Sequence, residues 1–231
     1  MNVVYYFSGS GNTKEVATHI AQELDFPLEE IFKNTPDRTE TAVVVFPVYC
    51  QNIPKPVKRF LETLECEKIA LIATYGRISH GNVLKECEKI VKAKIVAAAY
   101  VPCRHSYLDV NDGFDKASLK PLITKIKQSN AMDCVKIPKA RKNAFANFMP
   151  SLRSRIGVKI IKTDSCTDCG KCGEICPANA IKNGITNKNC IRCLKCVTYC
   201  LNNALSFKLS RILSDYLKRH YDPNAKVEIF V

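Results

Sequence analysis

The chain has 231 residues, enough for one medium domain and one small one, and its 46% hydrophobic and 25% charged residues exclude an intrinsically disordered protein. No apolar run approaches the ~20 residues that cross a bilayer, and the first residues lack the basic flank of a signal peptide. We therefore expect a cytoplasmic protein with no membrane partner. The net charge of +13 is uneven, because residues 136–165 hold 8 basic and 1 acidic side chains. Such a segment favours acidic partners, although charge alone does not choose among them.

Strand and helix patterns alternate over the first 130 residues. Apolar runs typical of strands lie at 2–7, 42–46, 69–73 and 95–101, and helical periodicity lies at 14–24, from Pro54 onward, at 81–91 and at 115–129. This alternation predicts an α/β fold with a parallel sheet that is covered on both faces. Residues 205–231 are predicted to form one basic amphipathic helix.

Eight of the 13 cysteines lie between residues 166 and 200, in two runs offset by 24 residues. Both runs have the spacing C-x2-C-x2-C-x3-C, in which three thiolates wrap one iron–sulfur cube and the fourth ligates the other cube. Disulfides fit poorly, since the count is odd and no export signal is present. Zinc, the other alternative, prefers two CxxC pairs. The predicted ligands are Cys166, Cys169, Cys172 and Cys200 for cluster one, and Cys190, Cys193, Cys196 and Cys176 for cluster two.

These runs resemble the bacterial two-cluster ferredoxin family over about 45 residues. The resemblance implies two [4Fe–4S] clusters in a small α+β domain. In that family a proline follows the fourth cysteine of each run. Pro177 matches the pattern and Leu201 departs from it, a change that affects packing near cluster one rather than ligation.

Residues 8–13 directly follow the first strand pattern and open the first helix pattern. Hydroxyls, glycines and backbone N–H groups at a helix start favour a bound phosphate, although a simple helix cap would give the same pattern. The segment lacks both the Gly-Lys-Ser/Thr end of a P-loop and the spacing of dinucleotide folds.

In this position the segment resembles the phosphate loop of the flavodoxin family. The resemblance implies a doubly wound, five-stranded parallel sheet of order 2-1-3-4-5 that binds FMN, with ring-binding loops after the third and fourth strands. The implied FMN-binding residues are Ser8, Gly9, Ser10, Gly11, Asn12, Thr13, Pro47, Val48, Tyr49, Cys50, Gln51, Asn52, Thr74, Tyr75, Gly76 and Gly81.

The whole chain resembles anaerobe proteins that fuse a flavodoxin-like domain to a two-cluster ferredoxin. Relatives of this kind usually carry glycines after Pro-Val-Tyr, where Cys50 and Gln51 stand here, a change that bears on the stability of a flavin semiquinone. The predicted domains are 1–135 (flavodoxin-like, FMN-binding), 136–157 (basic linker), 158–208 (two-cluster ferredoxin) and 209–231 (basic C-terminal helix or tail).

Electron transfer between one-electron carriers, through two clusters and FMN, is the function that these patterns favour. A flavin-dependent reductase fed by its own clusters is the alternative. A redox sensor or nucleic-acid-binding module is a third hypothesis, disfavoured because residues 136–165 carry few aromatics and no base-reading motif. The predicted partners are acidic redox proteins rather than nucleic acid, and the sequence leaves a homodimer open.

Overall fold

The structure is a computed structural model that describes residues 1–31, 38–143, 148 and 150–231. The predicted linker, 136–157, includes positions 144–147 and 149, which lie outside the described residues. Within the described ranges, no helix is both long enough and apolar enough to span a membrane.

Alternating strands and helices build the first 130 residues, in agreement with the predicted α/β fold. In chain order the elements are β1 (Asn2–Tyr6), α1 (Asn12–Leu24), β2 (Leu28–Glu30), β3 (Thr39–Pro47), α2 (Lys55–Thr63), β4 (Cys66–Tyr75), α3 (Val83–Cys87), β5 (Lys94–Pro102) and, after a 3₁₀ turn at Ala117–Leu119, α4 (Lys120–Gln128). The helix predicted at 81–91 is shorter because the chain turns after Cys87, whose carbonyl accepts the N–H groups of both Ile90 and Val91.

The strands of this part pair in parallel in the order β2-β1-β3-β4-β5. Successive strand residues point to opposite faces, so β1 sends Val3 to one apolar layer and Val4 to the other. Helices α2 and α3 cover the first face, and α1 and α4 cover the second. Burial on both faces explains why β3, β4 and β5 are continuous apolar runs.

A second, smaller part carries the cysteines. Its elements are α5 (Pro150–Gly157), β6 (Val158–Lys162), α6 (Lys171–Glu174), β7 (Ile181–Lys182), β8 (Ile185–Thr186), α7 (Lys195–Thr198) and β9 (Leu205–Leu209). Strands β6 and β9 pair antiparallel, and β7 and β8 form a hairpin. The hairpin turn has positive φ at Asn183 (47°) and Gly184 (79°), as tight two-residue turns require.

The C-terminal residues correct the prediction of one helix over 205–231. Residues 205–209 belong to β9, α8 (Arg211–His220) follows, and β10 (Glu228–Phe230) then pairs antiparallel with β5. Within the described residues the main sheet therefore has six strands instead of the predicted five, in the order β10-β5-β4-β3-β1-β2. The reason is a period of two in the last residues: Val227 and Ile229 pack against one apolar layer, and Phe230 packs against the other.

Both segments that flank the cysteine-bearing part pack on the α/β part. On the N-terminal side, Val135 donates its N–H to the Ile95 carbonyl (2.8 Å), and Ile137 is buried. On the C-terminal side, the Arg77 guanidinium donates to the carbonyls of Gly113 (2.8 Å), Pro223 (2.9 Å) and Ala225 (3.3 Å). The cysteine-bearing part is thus held at both of its ends.

Candidate functional site

The two cysteine runs share one backbone conformation. Three pairs of positions that are 24 residues apart have nearly equal, left-handed φ angles: Asp168 and Arg192 (53° and 57°), Gly170 and Leu194 (78° and 64°), and Asn179 and Asn203 (47° and 50°). Left-handed residues let a short chain turn tightly, which suits a run that wraps around a compact group. The sequence repeat is therefore also a structural repeat.

Hydrogen bonds tie the two halves of the repeat to each other. The N–H of Thr163, just before the first run, donates to the Ala204 carbonyl just after the second (3.0 Å). The equivalent bond runs from the N–H of Asn187 to the Ala180 carbonyl (2.9 Å). Each run is therefore closed by a residue that belongs to the other half.

The second run surrounds one cavity, here called cavity two, together with the last cysteine of the first run. Cavity two has about 340 Å³ of empty space, part of it open to solvent. Its apolar wall includes Ile160, Ile181 and Ile191. Its thiols are those of Cys176, Cys190, Cys193 and Cys196.

Cavity one is the matching space inside the first run, with about 360 Å³, again partly open. Its wall is more polar and includes Asp168, Lys171 and Asn202, and its apolar Leu201 is 76% exposed. Its thiols are those of Cys166, Cys169, Cys172 and Cys200. The structure thus brings together each of the two sets of four cysteines that the spacing predicted.

The thiols of cavity two are close enough to perturb one another. Burial raises the pKa of Cys196 to about 12, with further contributions from the negative charges of Cys190, Cys176 and Cys172. Burial also raises the pKa of Cys193 to about 12. Four thiolates in so small a volume need a compensating positive charge. Within the described ranges, no three His, Cys, Asp or Glu side chains converge on one point as the ligands of a single metal ion do, and no disulfide joins any of the cysteines.

The fourth cysteine of each run receives a hydrogen bond from the backbone. The N–H of Ala180 points to Cys176 Sγ (3.2 Å), and the N–H of Ala204 points to Cys200 Sγ (3.3 Å). A donor aimed at sulfur stabilises its thiolate form, which is the form that ligates metal.

The repeat carries opposite charges at one equivalent position. Asp168 in the first run is exposed and pairs with Lys162 (2.7 Å), and that hydrogen bond lowers the pKa of Asp168. Arg192 in the second run is only 8% exposed, and its Nε donates to the Val158 carbonyl (2.8 Å). A buried cation therefore stands beside cavity two, whereas the charge beside cavity one is solvated and paired.

The predicted phosphate loop, residues 8–13, lies at the N-terminus of α1. Gly11 has a φ of 96°, and Asn12 Nδ2 donates to the Arg104 carbonyl (2.7 Å). The hydroxyls of Ser10 and Ser106 are hydrogen-bonded (2.7 Å). Ser8 is 3% exposed, and among the described residues its hydroxyl has no partner.

The two predicted ring loops follow β3 and β4 and lie side by side. Val48 donates its N–H to the Thr74 carbonyl (2.8 Å), and Thr74 Oγ1 is hydrogen-bonded to Thr13 Oγ1 (2.8 Å). Tyr49 packs edge-on against Phe7, with ring centroids 6.1 Å apart. The structure therefore brings the loops after β1, β3 and β4 to one edge of the sheet.

Two non-glycine residues of the first ring loop adopt left-handed backbone angles. Cys50 has a φ of 51° and Gln51 a φ of 60°. Each such residue costs roughly 1–2 kcal/mol. Asn52 holds this turn closed, because its Nδ2 donates to the Cys50 carbonyl (2.9 Å).

The residues fit the phosphate end of FMN better than its ring end. The buried Ser8 hydroxyl, which has no partner among the described residues, and the N-terminus of α1 both suit a phosphate. At the ring end the loops already touch, since a Cβ added to Gly81 would lie 2.7 Å from the Gln51 Cβ. A Cβ added to Gly76 would lie 2.9 Å from Cγ of His105. The neighbouring Tyr75 is partly buried, and this burial raises its pKa to about 12. An isoalloxazine ring between these loops requires Gln51 and His105 to move.

Sequence reasoning missed the loop after β5. Arg104, His105, Ser106 and Tyr107 all contact predicted site residues or the second cysteine run. Burial lowers the pKa of His105 to about 4, so this imidazole is neutral at pH 7. The place of this loop in the sequence could have indicated it, because the loop follows a predicted parallel strand and such loops lie at the same edge of the sheet as the other predicted ligand loops.

A cysteine-lined repeat of this kind defines an iron–sulfur site, and comparison with known families agrees. Residues 159–182, about a tenth of the chain, match the 4Fe-4S binding domain family. No curated protein and no solved structure matches the chain. The chain therefore has an iron–sulfur, ferredoxin-like region with the capacity for electron transfer, and a [4Fe–4S] cluster is supported within it.

Proposed function

We propose that this protein transfers electrons between one-electron carriers through two [4Fe–4S] clusters and FMN. The observation that carries the proposal is the pair of cavities, each lined by four cysteines of which three come from one run and one from the other. This crossed set is the donor arrangement of a two-cluster ferredoxin. When bound, clusters take up and release single electrons, and FMN takes up one or two.

In this proposal the chain's own residues hold and tune the clusters. The crossed cysteines ligate them, the N–H groups of Ala180 and Ala204 stabilise the fourth thiolates, and Ile160, Ile181 and Ile191 limit water around cluster two. The α/β part would be the flavodoxin-like domain, with the FMN phosphate at residues 8–13 and the Ser8 hydroxyl as one donor.

An acidic redox protein is the partner that the surface favours, and a cytoplasmic location belongs to the same proposal. Lys159 and Lys208 face each other across β6 and β9, and both are exposed. Two neighbouring positive charges at an exposed surface attract a surface of opposite charge. The domain limits proposed for this function are 1–135, 136–157 and 158–208, with β10 returning to the first domain.

The test is the cofactor content of protein purified without oxygen. We expect about eight irons, about eight inorganic sulfides and one FMN per chain. Zinc in place of iron, or no metal, would overturn the cluster half. Full iron without flavin, even after incubation with added FMN, would overturn only the proposal that the protein binds FMN.

Ser8→Ala should weaken FMN binding about tenfold or more, because a hydrogen bond to a charged group is worth roughly 1.5–3 kcal/mol. Ser118→Ala, which lies outside the loop, is the control and should leave FMN binding unchanged.

Arg192 provides a separate prediction about the clusters. Reduction makes a cluster with four thiolates more negative, so a buried cation nearby favours the reduced form. Arg192→Gln should lower one of the two reduction potentials by on the order of 40–90 mV, the equivalent of about 1–2 kcal/mol for one electron. Redox titration followed by EPR measures both potentials. Arg192→Lys is the matched control and should retain most of the potential; equal shifts in both variants would contradict the electrostatic explanation.

A further inference from the structure

Residues 190–195 of the second cysteine run lie directly on the predicted phosphate loop. A Cβ added to Gly9 would overlap the carbonyl oxygen of Cys193 and would lie 2.8 Å from its carbonyl carbon and 2.9 Å from its Cβ. The obstacle at this position is backbone, which cannot rotate away as a flexible side chain can. Gly9 is therefore required by the approach of the second run, in addition to any role toward a phosphate.

Tyr107 makes a second contact with the same segment. Its hydroxyl donates to the Arg192 carbonyl (2.6 Å), and its ring packs against Phe207 of β9, with centroids 5.7 Å apart. Burial, and after it the negative charges of Cys50 and Cys193, raises the pKa of Tyr107. Tyr107 belongs to the loop after β5, so two loops at the sheet edge hold residues 190–195.

An ion pair and an apolar contact complete this interface. Lys195 Nζ pairs with the Glu30 carboxylate of β2, and the two side chains are only 9% and 12% exposed. A charge pair removed from water is costly unless both partners are correctly placed, so it indicates one defined arrangement. Ile191 and Cys193 also pack against the apolar layer that contains Phe7.

Cavity one has the opposite surroundings. Cys169 is exposed, and Leu201, which lines the same cavity, is 76% exposed. The two cysteine sets therefore differ in solvent exposure. The set around cavity two packs against the edge of the main sheet, and the set around cavity one faces solvent.

We propose that residues 190–195 hold cluster two against the sheet edge, where it exchanges electrons within the protein (the internal port). Cluster one, which faces solvent, then exchanges electrons with a soluble one-electron carrier (the external port). This inference rests on the proposed function. The one-electron chemistry would be supplied by clusters held in the two cysteine sets, and no bond would be made or broken. A reduced carrier would lose one electron at the exposed set, residues 190–195 would hold the second cluster at the sheet edge, and the flavin of the proposed function would be the acceptor there.

Gly9→Ala tests the docking. In the iron-replete protein, amide hydrogen exchange of residues 190–195 and 8–13 should become at least tenfold faster, with the iron content unchanged. Gly113→Ala is the control, since Gly113 has open space around it and no positive φ. Tyr107→Phe is a milder second variant and should speed exchange at residues 190–195 about fivefold, whereas Tyr216→Phe, on exposed α8, should not. Wild-type exchange rates in both Gly9→Ala and Tyr107→Phe would overturn the docking.

The external port is tested at Leu201. Leu201→Glu should slow reduction of the protein by a reduced acidic ferredoxin at least fivefold in stopped-flow measurements, because the new charge repels the carrier. Ile185→Glu, at an exposed position that lines neither cavity, is the matched control. Equal rates in these two variants would overturn the port assignment. Failure of the proposed function is distinguishable, since it would appear as missing iron or missing FMN in the wild-type protein.

Discussion

The double variant Cys176→Ala/Cys190→Ala is expected to retain about four irons per chain, one complete cluster. The proposed crossed ligation assigns both residues to cluster two, so cluster one keeps all its ligands. By contrast, Cys172→Ala/Cys176→Ala removes one ligand from each set and should leave little or no iron. Iron and sulfide analysis of protein purified without oxygen distinguishes the two results.

The opposite pattern would show that each run ligates its own cluster. In that case Cys176→Ala/Cys190→Ala would damage both clusters, and Cys172→Ala/Cys176→Ala would damage only one. Cys134→Ala is the control for cysteine removal in general, since this exposed thiol lies outside both runs and the protein should keep about eight irons. The comparison therefore tests how the cysteines are shared.

Arg77→Ala is expected to release the C-terminal segment from the α/β part. Arg77 donates to three carbonyls, two of which belong to Pro223 and Ala225, and its own carbonyl accepts the N–H of Asp222. Loss of the guanidinium removes a charged donor from these carbonyls, of which that of Ala225 is partly buried, so the free energy of opening β10 should fall by roughly 1.5–3 kcal/mol. Native-state hydrogen exchange of the β10 amides measures this change.

Arg59→Ala is the control for loss of an arginine charge. Arg59 is exposed on α2, far in sequence from the C-terminal segment, and its removal should change the same free energy by less than about 0.5 kcal/mol. An unchanged exchange rate at β10 in Arg77→Ala would show that Tyr221, which bonds Asp112, and Glu228, which bonds His80, hold the segment without Arg77.

Local patterns predicted most of the α/β part. The run at 42–46 lies within β3, and the run at 69–73 lies within β4, because a strand buried on both faces must be apolar throughout. The two groups of four cysteines were also predictable, since thiols two or three residues apart are placed by the same short turns in both runs. In each case the spacing of residues along the chain was sufficient to predict the local structure.

Contacts between distant residues were not predictable in this way. The three residues of β10 are too few to signal a strand, and they become one only beside β5, more than 120 residues earlier. Equally, nothing local distinguishes Gly9 from the other glycine of its loop, although only Gly9 lies against Cys193. Arg192 reads as a surface charge in the sequence and is buried by the approach of β6.

The α/β class and the grouping of eight cysteines into two sets of four follow from local patterns, because hydrophobic periodicity and cysteine spacing act over a few residues and do not depend on the rest of the chain. Long-range contacts instead place the second cysteine set against the sheet edge, add β10 as the sixth strand of the sheet in the described residues, and bring Gly9, Tyr107 and Glu30 against the second run. Those features depend on surfaces that are complementary only once both parts of the chain have folded, and no residue pattern within either part encodes the pairing.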